Sequence, residues 1–171
     1  MDKNTKSPDT AGPGLYDASD KPFDFVEEGG KTALVCDLDD AVQGRFGTVL
    51  EGMGYRVTKT AAVPDALKSM RFHVYDLIVV GEGFDAEGSD GEGVLDYIRD
   101  LPMGVRRNIF VVLLSATIRT MDNMAAFGRS VNLVVNLENI GEAETIIKRG
   151  IADNETFYKT FREVLKEAGR L

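Results

Sequence analysis

The sequence predicts an α/β protein built on a doubly wound, five-stranded parallel sheet. Two stretches, LIVV at 77–80 and IFVVLL at 109–114, are unbroken apolar runs without polar alternation, as in strands covered on both faces. Three further strands, at 32–36, 55–60 and 133–135, complete the set, and segments with helical spacing separate one strand from the next. Short connections between strand and helix imply βα units with right-handed crossovers, and hence a parallel sheet.

At 171 residues the chain has room for one domain and a tail, and a domain of about 140 residues buries roughly two-thirds of its unfolded surface. A formal net charge of −8 argues against a nucleic-acid surface, which needs a basic stripe to displace counterions from phosphates. The single cysteine, Cys36, excludes an internal disulfide and a cysteine-rich zinc site, and its apolar neighbours mark it as a small core residue rather than a reactive thiol. The first residues, MDKNTKSPDTAGPG, contain no apolar h-region, and no run approaches the ~18 apolar residues of a membrane span. The expectation is a cytoplasmic protein without a membrane partner.

Residues 1–30 read as a disordered or loosely docked tail and residues 31–171 as the folded domain. The start of the tail offers almost nothing to bury, so ordering it would cost backbone entropy without return. Phe23, Phe25 and Val26 are the exceptions, able to dock as a short extended segment. GGKT at 29–32 is no phosphate loop, because Phe25 stands where its first glycine belongs and a strand follows.

The first strand, TALVC at 32–36, runs into the acidic cluster Asp37, Asp39 and Asp40. Asp39 or Asp40 caps a helix whose apolar residues Val42, Phe46, Val49, Leu50 and Met53 recur at helical spacing until Gly54. After the strand at 55–60, Val63 and Pro64 open a short helix with Ala66, Leu67 and Met70 on its inner face. His73 has no second His or Cys with which to share a metal, so it reads as structural. The central strand empties into GEGFDAEGSDGEG at 81–93, a long loop of the kind that is functional or mobile. Val94, Leu95, Ile98 and Leu101 form a helix ended by Pro102. The strand 109–114 closes on Ser115, and a helix is expected over 120–129, another over about 141–149, and a separate final helix capped by Asp153 and Asn154. In that last helix Phe157, Phe161, Val164, Leu165 and Ala168 make one stripe.

In this order the motifs resemble the receiver domain of bacterial response regulators, over about residues 31–168. The residues that carry the resemblance are YDLIVVG before the loop with Asp90 and Gly91, LLSA at 113–116, NLVVN at 132–136, and the acidic region after the first strand. The resemblance implies a flavodoxin-like fold with strand order 2-1-3-4-5 and a place in a two-component or phosphorelay system. It also implies a site in which two acids after the first strand and an aspartate ending the third hold Mg2+ for phosphoryl transfer, while a Ser or Thr and a Lys bind the phosphoryl oxygens.

Mapped residue by residue, that site is degenerate. Cys36 and Asp37 stand at the acidic pair, Gly81 at the phospho-acceptor, Ser115 at the hydroxyl position, Asn136 at the lysine, Leu137 at the proline after it, and Leu133 at the switch aromatic. Glycine supplies no carboxylate nucleophile. The pattern is that of a pseudo-receiver that acts by protein contact, is not an enzyme and needs no cofactor. Its partner would be a sensor kinase, an output protein or a second copy, and no output domain follows residue 168. The resemblance places the docking face at Phe127, Leu133, Lys159 and Arg162.

Two alternatives remain at this level. The first is a metal-dependent phosphoreceiver with a shifted acceptor: sliding the strand end by one residue brings Glu82 to the acceptor position, where Asp37 and Glu82 would hold Mg2+. Strand alternation turns Glu82 to the face opposite Gly81; pointing inward instead, it would stand in for a permanently charged acceptor and hold an active-like state. Six acids and no Lys or Arg between Glu82 and Ile98 also invite a cation, though without EF-hand spacing. The second alternative is a nucleotide- or flavin-binding flavodoxin-like protein. Against it, Ala86 breaks the G-x-G-x-x-G pattern and the loop's charge would repel pyrophosphate. Ser115 lacks the surroundings of a hydrolytic nucleophile.

Overall fold

The computed structural model describes residues 30–85 and 93–170. The tail positions Phe23, Phe25 and Val26, and loop positions 86–92 with Asp90 and Gly91, lie outside the described residues. Five strands, β1 (Lys31–Cys36), β2 (Tyr55–Thr60), β3 (Leu77–Gly81), β4 (Phe110–Ser115) and β5 (Leu133–Asn136), form one sheet in the order β2-β1-β3-β4-β5, every pair parallel. The doubly wound sheet and its strand order are as the sequence and the resemblance predict.

All of β3 and β4 is buried, which is why neither shows polar alternation. Alternate residues feed two separate cores. Leu34, Cys36, Ile78, Val80, Val111, Leu113 and Val134 face one layer; Ala33, Val35, Leu77, Val79, Val112, Leu114, Leu133 and Val135 face the other. Over the first layer lie α2 (Val63–Phe72) and α3 (Val94–Asp100), which contribute Val63, Ala66, Met70, Val94 and Ile98, and α5 (Asn123–Gly128), which contributes Ala126. Over the second lie α1 (Asp40–Gly52), with Phe46 and Leu50, and α6 (Ala143–Glu167), with Ala143 and Ile147. Each fully buried Leu, Ile or Phe contributes about 1.5–3 kcal/mol.

Local chemistry sets the helix starts. Asp39 caps α1 by accepting from the N–H groups of Ala41 and Val42, and Pro64 sits in the first turn of α2. A one-turn helix, α4 (Met103–Arg106), follows Pro102, and a 3-10 helix at Leu137–Glu142 follows β5; the sequence reading has neither.

Two helix expectations are corrected. Instead of spanning 120–129, α5 begins at Asn123 under an Asp122 cap, because Met121 has φ 60° and its N–H donates to Val134 O at 2.9 Å. The two helices expected at 141–149 and after Asn154 are one continuous helix of 25 residues. Gly150 sits within it because a Cβ there would lie 3.1 Å from both Leu133 Cδ2 and Phe110 Cζ: the glycine lets helix and sheet approach. Asn154 is no cap; its Oδ1 accepts from Asn132 Nδ2 at 3.2 Å.

Candidate functional site

The parallel register brings the carboxyl ends of the strands to one edge, where Cys36 lies opposite Val80, Gly81 opposite Leu114, and Ser115 opposite Asn136. The residue pattern within each strand then sorts the side chains. Asp37 and Gly81 continue the alternation of Val35 and Val79; Cys36 and Ser115 continue that of Leu34 and Leu113 on the other side.

Asp37 is tied down by its neighbours. Its carbonyl accepts from Gln43 Nε2 at 2.6 Å, and its Oδ1 accepts from Asp39 N–H at 2.9 Å. The other carboxylate oxygen lies over Gly81, where an added Cβ would collide with it. The space above Gly81, where the resemblance sets an acceptor side chain, is thus taken up by the Asp37 carboxylate. Cys36 is fully buried, and burial first, then the carboxylates of Asp85 and Asp37, pushes its thiol pKa far up, so it stays a neutral thiol.

Glu82 follows the last residue of β3, and its N–H still donates to Leu114 O at 2.8 Å. As alternation requires, its side chain turns away from Gly81. Ser115 lies on that same side, however, and its hydroxyl donates to Glu82 Oε2. Thr117 Oγ1 donates to the same oxygen at 3.5 Å, and Glu82 Oε1 pairs with Arg129 Nη1 at 2.9 Å. Ser115 Oγ in turn accepts from the N–H groups of Thr117, at 3.1 Å, and Ile118, at 3.0 Å. One carboxylate therefore links the end of β3, the loop after β4, and the residue that ends α5.

Asn136, which the resemblance sets at the lysine position, is turned to local structure. Its Oδ1 accepts from Glu138 N–H and its Nδ2 donates to Ile118 O, both at 2.9 Å. Asp85 reaches forward to cap α3, with Oδ1 accepting from Val94 N–H at 2.8 Å and Oδ2 from Leu95 N–H at 3.0 Å. Nothing in the local sequence signals that cap, because donor and acceptor are nine and ten residues apart. His73 Nε2 lies 2.9 Å from Thr32 Oγ1, a structural position.

Of the expected docking residues, Phe127 is 81% exposed, Lys159 is exposed and Arg162 half-buried. Leu133 does not belong with them. It is 3% exposed and packed against the Gly150 stretch of α6, so it offers no surface. Met124, 79% exposed one turn before Phe127, is on that face instead. The stripe expected to bury the final helix is also open: Phe157 is 79% and Val164 57% exposed.

Among the described residues no three His, Cys, Asp or Glu side chains group as metal ligands, and no helix is long and apolar enough to cross a membrane. The Mg2+ that the resemblance implies does not fit the residues present. Mg2+ wants several hard oxygen donors, whereas Cys36, Asp37 and Gly81 offer one carboxylate, a neutral soft thiol and no side chain. Glu82 adds no ligand beside Asp37, since its oxygens are directed to Ser115, Thr117 and Arg129.

Comparison with solved structures places the architecture. The BeF3-activated DrrB receiver domain is similar over 72% of this chain and 98% of its own, with a TM-score of 0.55 at 18% identity. The chain has the receiver-domain fold. A CheY-like receiver domain from Methylobacillus flagellatus is similar over 70% of this chain and 98% of its own, with a TM-score of 0.53 at 20% identity. HP1043, an orphan response regulator of H. pylori, is similar over 71% and 97%, with a TM-score of 0.53 at 16% identity. No protein-family profile and no curated protein matches the sequence. At these identities the receiver fold is what is shared.

Proposed function

We propose that this receiver-fold chain, residues 31–171, is a cytoplasmic signalling module of a two-component or phosphorelay system that takes up no phosphoryl group and acts by binding another protein. One observation supports the reading above all: the Asp37 carboxylate is folded over Gly81, the residue that the resemblance sets at the acceptor position. A second carboxylate, Glu82, already satisfies the Ser115 hydroxyl that would otherwise be free for a phosphoryl oxygen. Binding then falls to the surface, and Met124, Phe127, Lys159 and Arg162 offer apolar and charged groups for a kinase, an output protein or a second copy.

A test is to add beryllium fluoride and Mg2+ to the isotopically labelled chain and follow its amide resonances. The proposal expects no shift at residues 81, 82, 115 and 136; a saturable shift there would refute it. The proximity of Glu82 to Ser115 favours a second reading, a conventional receiver whose acceptor is Glu82. In that case the shift would appear in the wild type and vanish in Glu82→Gln.

A further inference from the structure

The second half of α6 outruns the sheet. Asn154 bonds Asn132, the residue just before β5, so residues 155–167 lie past the edge at which the strands begin. That stretch extends roughly 20 Å at 1.5 Å per residue. Along it Phe157, Phe161 and Val164 recur at i, i+4 and i+7, on one helix face, with exposures of 79%, 37% and 57%. Arg107 borders the stripe: its guanidinium lies 4.2 Å from the centre of the Phe161 ring, and its Nε donates to the carbonyl of Met103, itself 63% exposed. A contiguous apolar face of this kind calls for an occupant.

The chain supplies one. β1 begins at Lys31 on the same edge, three strand positions from β5, which is roughly 14 Å at 4.8 Å per strand. An extended chain covers roughly 3.3 Å per residue, so the step from Gly30 back to Val26 spans roughly 13 Å and the step to Phe23 roughly 23 Å. Phe25, roughly 17 Å back, and Phe23, roughly 23 Å back, therefore outreach that lateral step toward the stripe, whereas Val26 stops short of it. The stretch PFDFVEE at 22–28 carries three apolar side chains, Phe23, Phe25 and Val26, among three carboxylates, Asp24, Glu27 and Glu28. Basic groups stand at both ends of the path: Lys31, its Nζ 5.8 Å from the centre of the Tyr55 ring, and Arg107 at the stripe.

We propose that Phe23 and Phe25 pack on the stripe of Phe157, Phe161 and Val164, so that this chain's own N-terminal segment covers the free half of α6. Any partner that uses the same stripe must displace it.

The test uses the full chain with a nitroxide on Lys21→Cys, Cys36 being shielded by burial. Amide resonances at 157–165 and 103–107 should broaden, and those at the opposite edge of the sheet, at 81–85 and 115–118, should not. Phe23→Ser/Phe25→Ser should remove the broadening and speed hydrogen exchange at 157–164 several-fold, with the far-UV spectrum unchanged. Mixing spin-labelled chain with separate isotope-labelled chain should give no broadening. Unchanged exchange in the double variant, or no broadening within one chain, would overturn the proposal. Broadening between chains, together with a dimer that Phe157→Glu dissociates, would instead make a second copy the occupant.

Discussion

Replacing Glu82 by glutamine keeps the size of the side chain and one acceptor oxygen while removing its charge. Besides the long contact from Thr117, two contacts change. The Arg129 pair has side chains 44% and 29% exposed, so solvent screening leaves it worth about 0.5 kcal/mol. The Ser115 hydroxyl is buried at 1% exposure, and its bond to a carboxylate exceeds a neutral one by about 1 kcal/mol. The sum, about 1.5 kcal/mol, divided by an unfolding entropy of about 0.3 kcal/mol/K for a domain of about 140 residues, lowers Tm by about 5 °C. Urea unfolding of wild type, Glu82→Gln, Arg129→Ala and Ser115→Ala measures it, and a Glu82→Ala/Ser115→Ala cycle isolates the coupling of the whole charge-assisted bond, expected at about 2 kcal/mol. Raising the salt should weaken only the Arg129 share. A Glu82→Gln cost under about 0.3 kcal/mol, or a cycle with no coupling, would refute the link between β3, β4 and α5.

Further outcomes follow from the same geometry. Gly81→Asp forces the Asp37 carboxylate aside and sets two like charges together, so the variant should lose about 1–2 kcal/mol without divalent cation and recover with Mg2+, while the wild-type Tm is indifferent to Mg2+. Gly150→Leu drives a side chain into Leu133 and Phe110 and should cost about 2–3 kcal/mol in chemical unfolding, whereas Gly150→Ala, balancing helix propensity against crowding, should stay within about 1 kcal/mol of wild type. Burial raises the Cys36 thiol in the native state, so above the ordinary thiol range, near about 8.5, the unfolded chain releases a proton that the native chain keeps. Stability should therefore fall as pH rises beyond that point, by up to about 1.4 kcal/mol per unit, and Cys36→Ala should remove this part of the slope.

The sheet was legible because β3 and β4 are buried on both faces, and burial leaves unbroken apolar runs. The residues at the sheet's carboxyl edge were legible too: Gly81 and Asn136 follow directly on the apolar runs of β3 and β5. What the Glu82 carboxylate does was not. Alternation gives its side of the sheet, but only the register with β4 shows that Ser115 waits there. Arg129 arrives from a helix 47 positions later in the chain. In α6, Gly150 and the pair Asp153 and Asn154 look like stop and start signals, yet packing on Phe110 and Leu133 explains the glycine, and the helix continues. Its outer stripe has the spacing of a buried face; exposure follows from how far the helix passes the sheet, which periodicity does not contain. Leu133 was expected at the surface through its mapped position alone, and strand alternation puts it in the core.

The most direct measurement is the intact mass of the chain after incubation with acetyl phosphate and Mg2+. If, as proposed, Gly81 stands in the acceptor's place, then with Glu82 held by Ser115 and Arg129 the mass should stay that of the unmodified chain. A stoichiometric adduct of one phosphoryl group, lost in Glu82→Gln, would contradict the account and make this chain an ordinary receiver with a displaced acceptor.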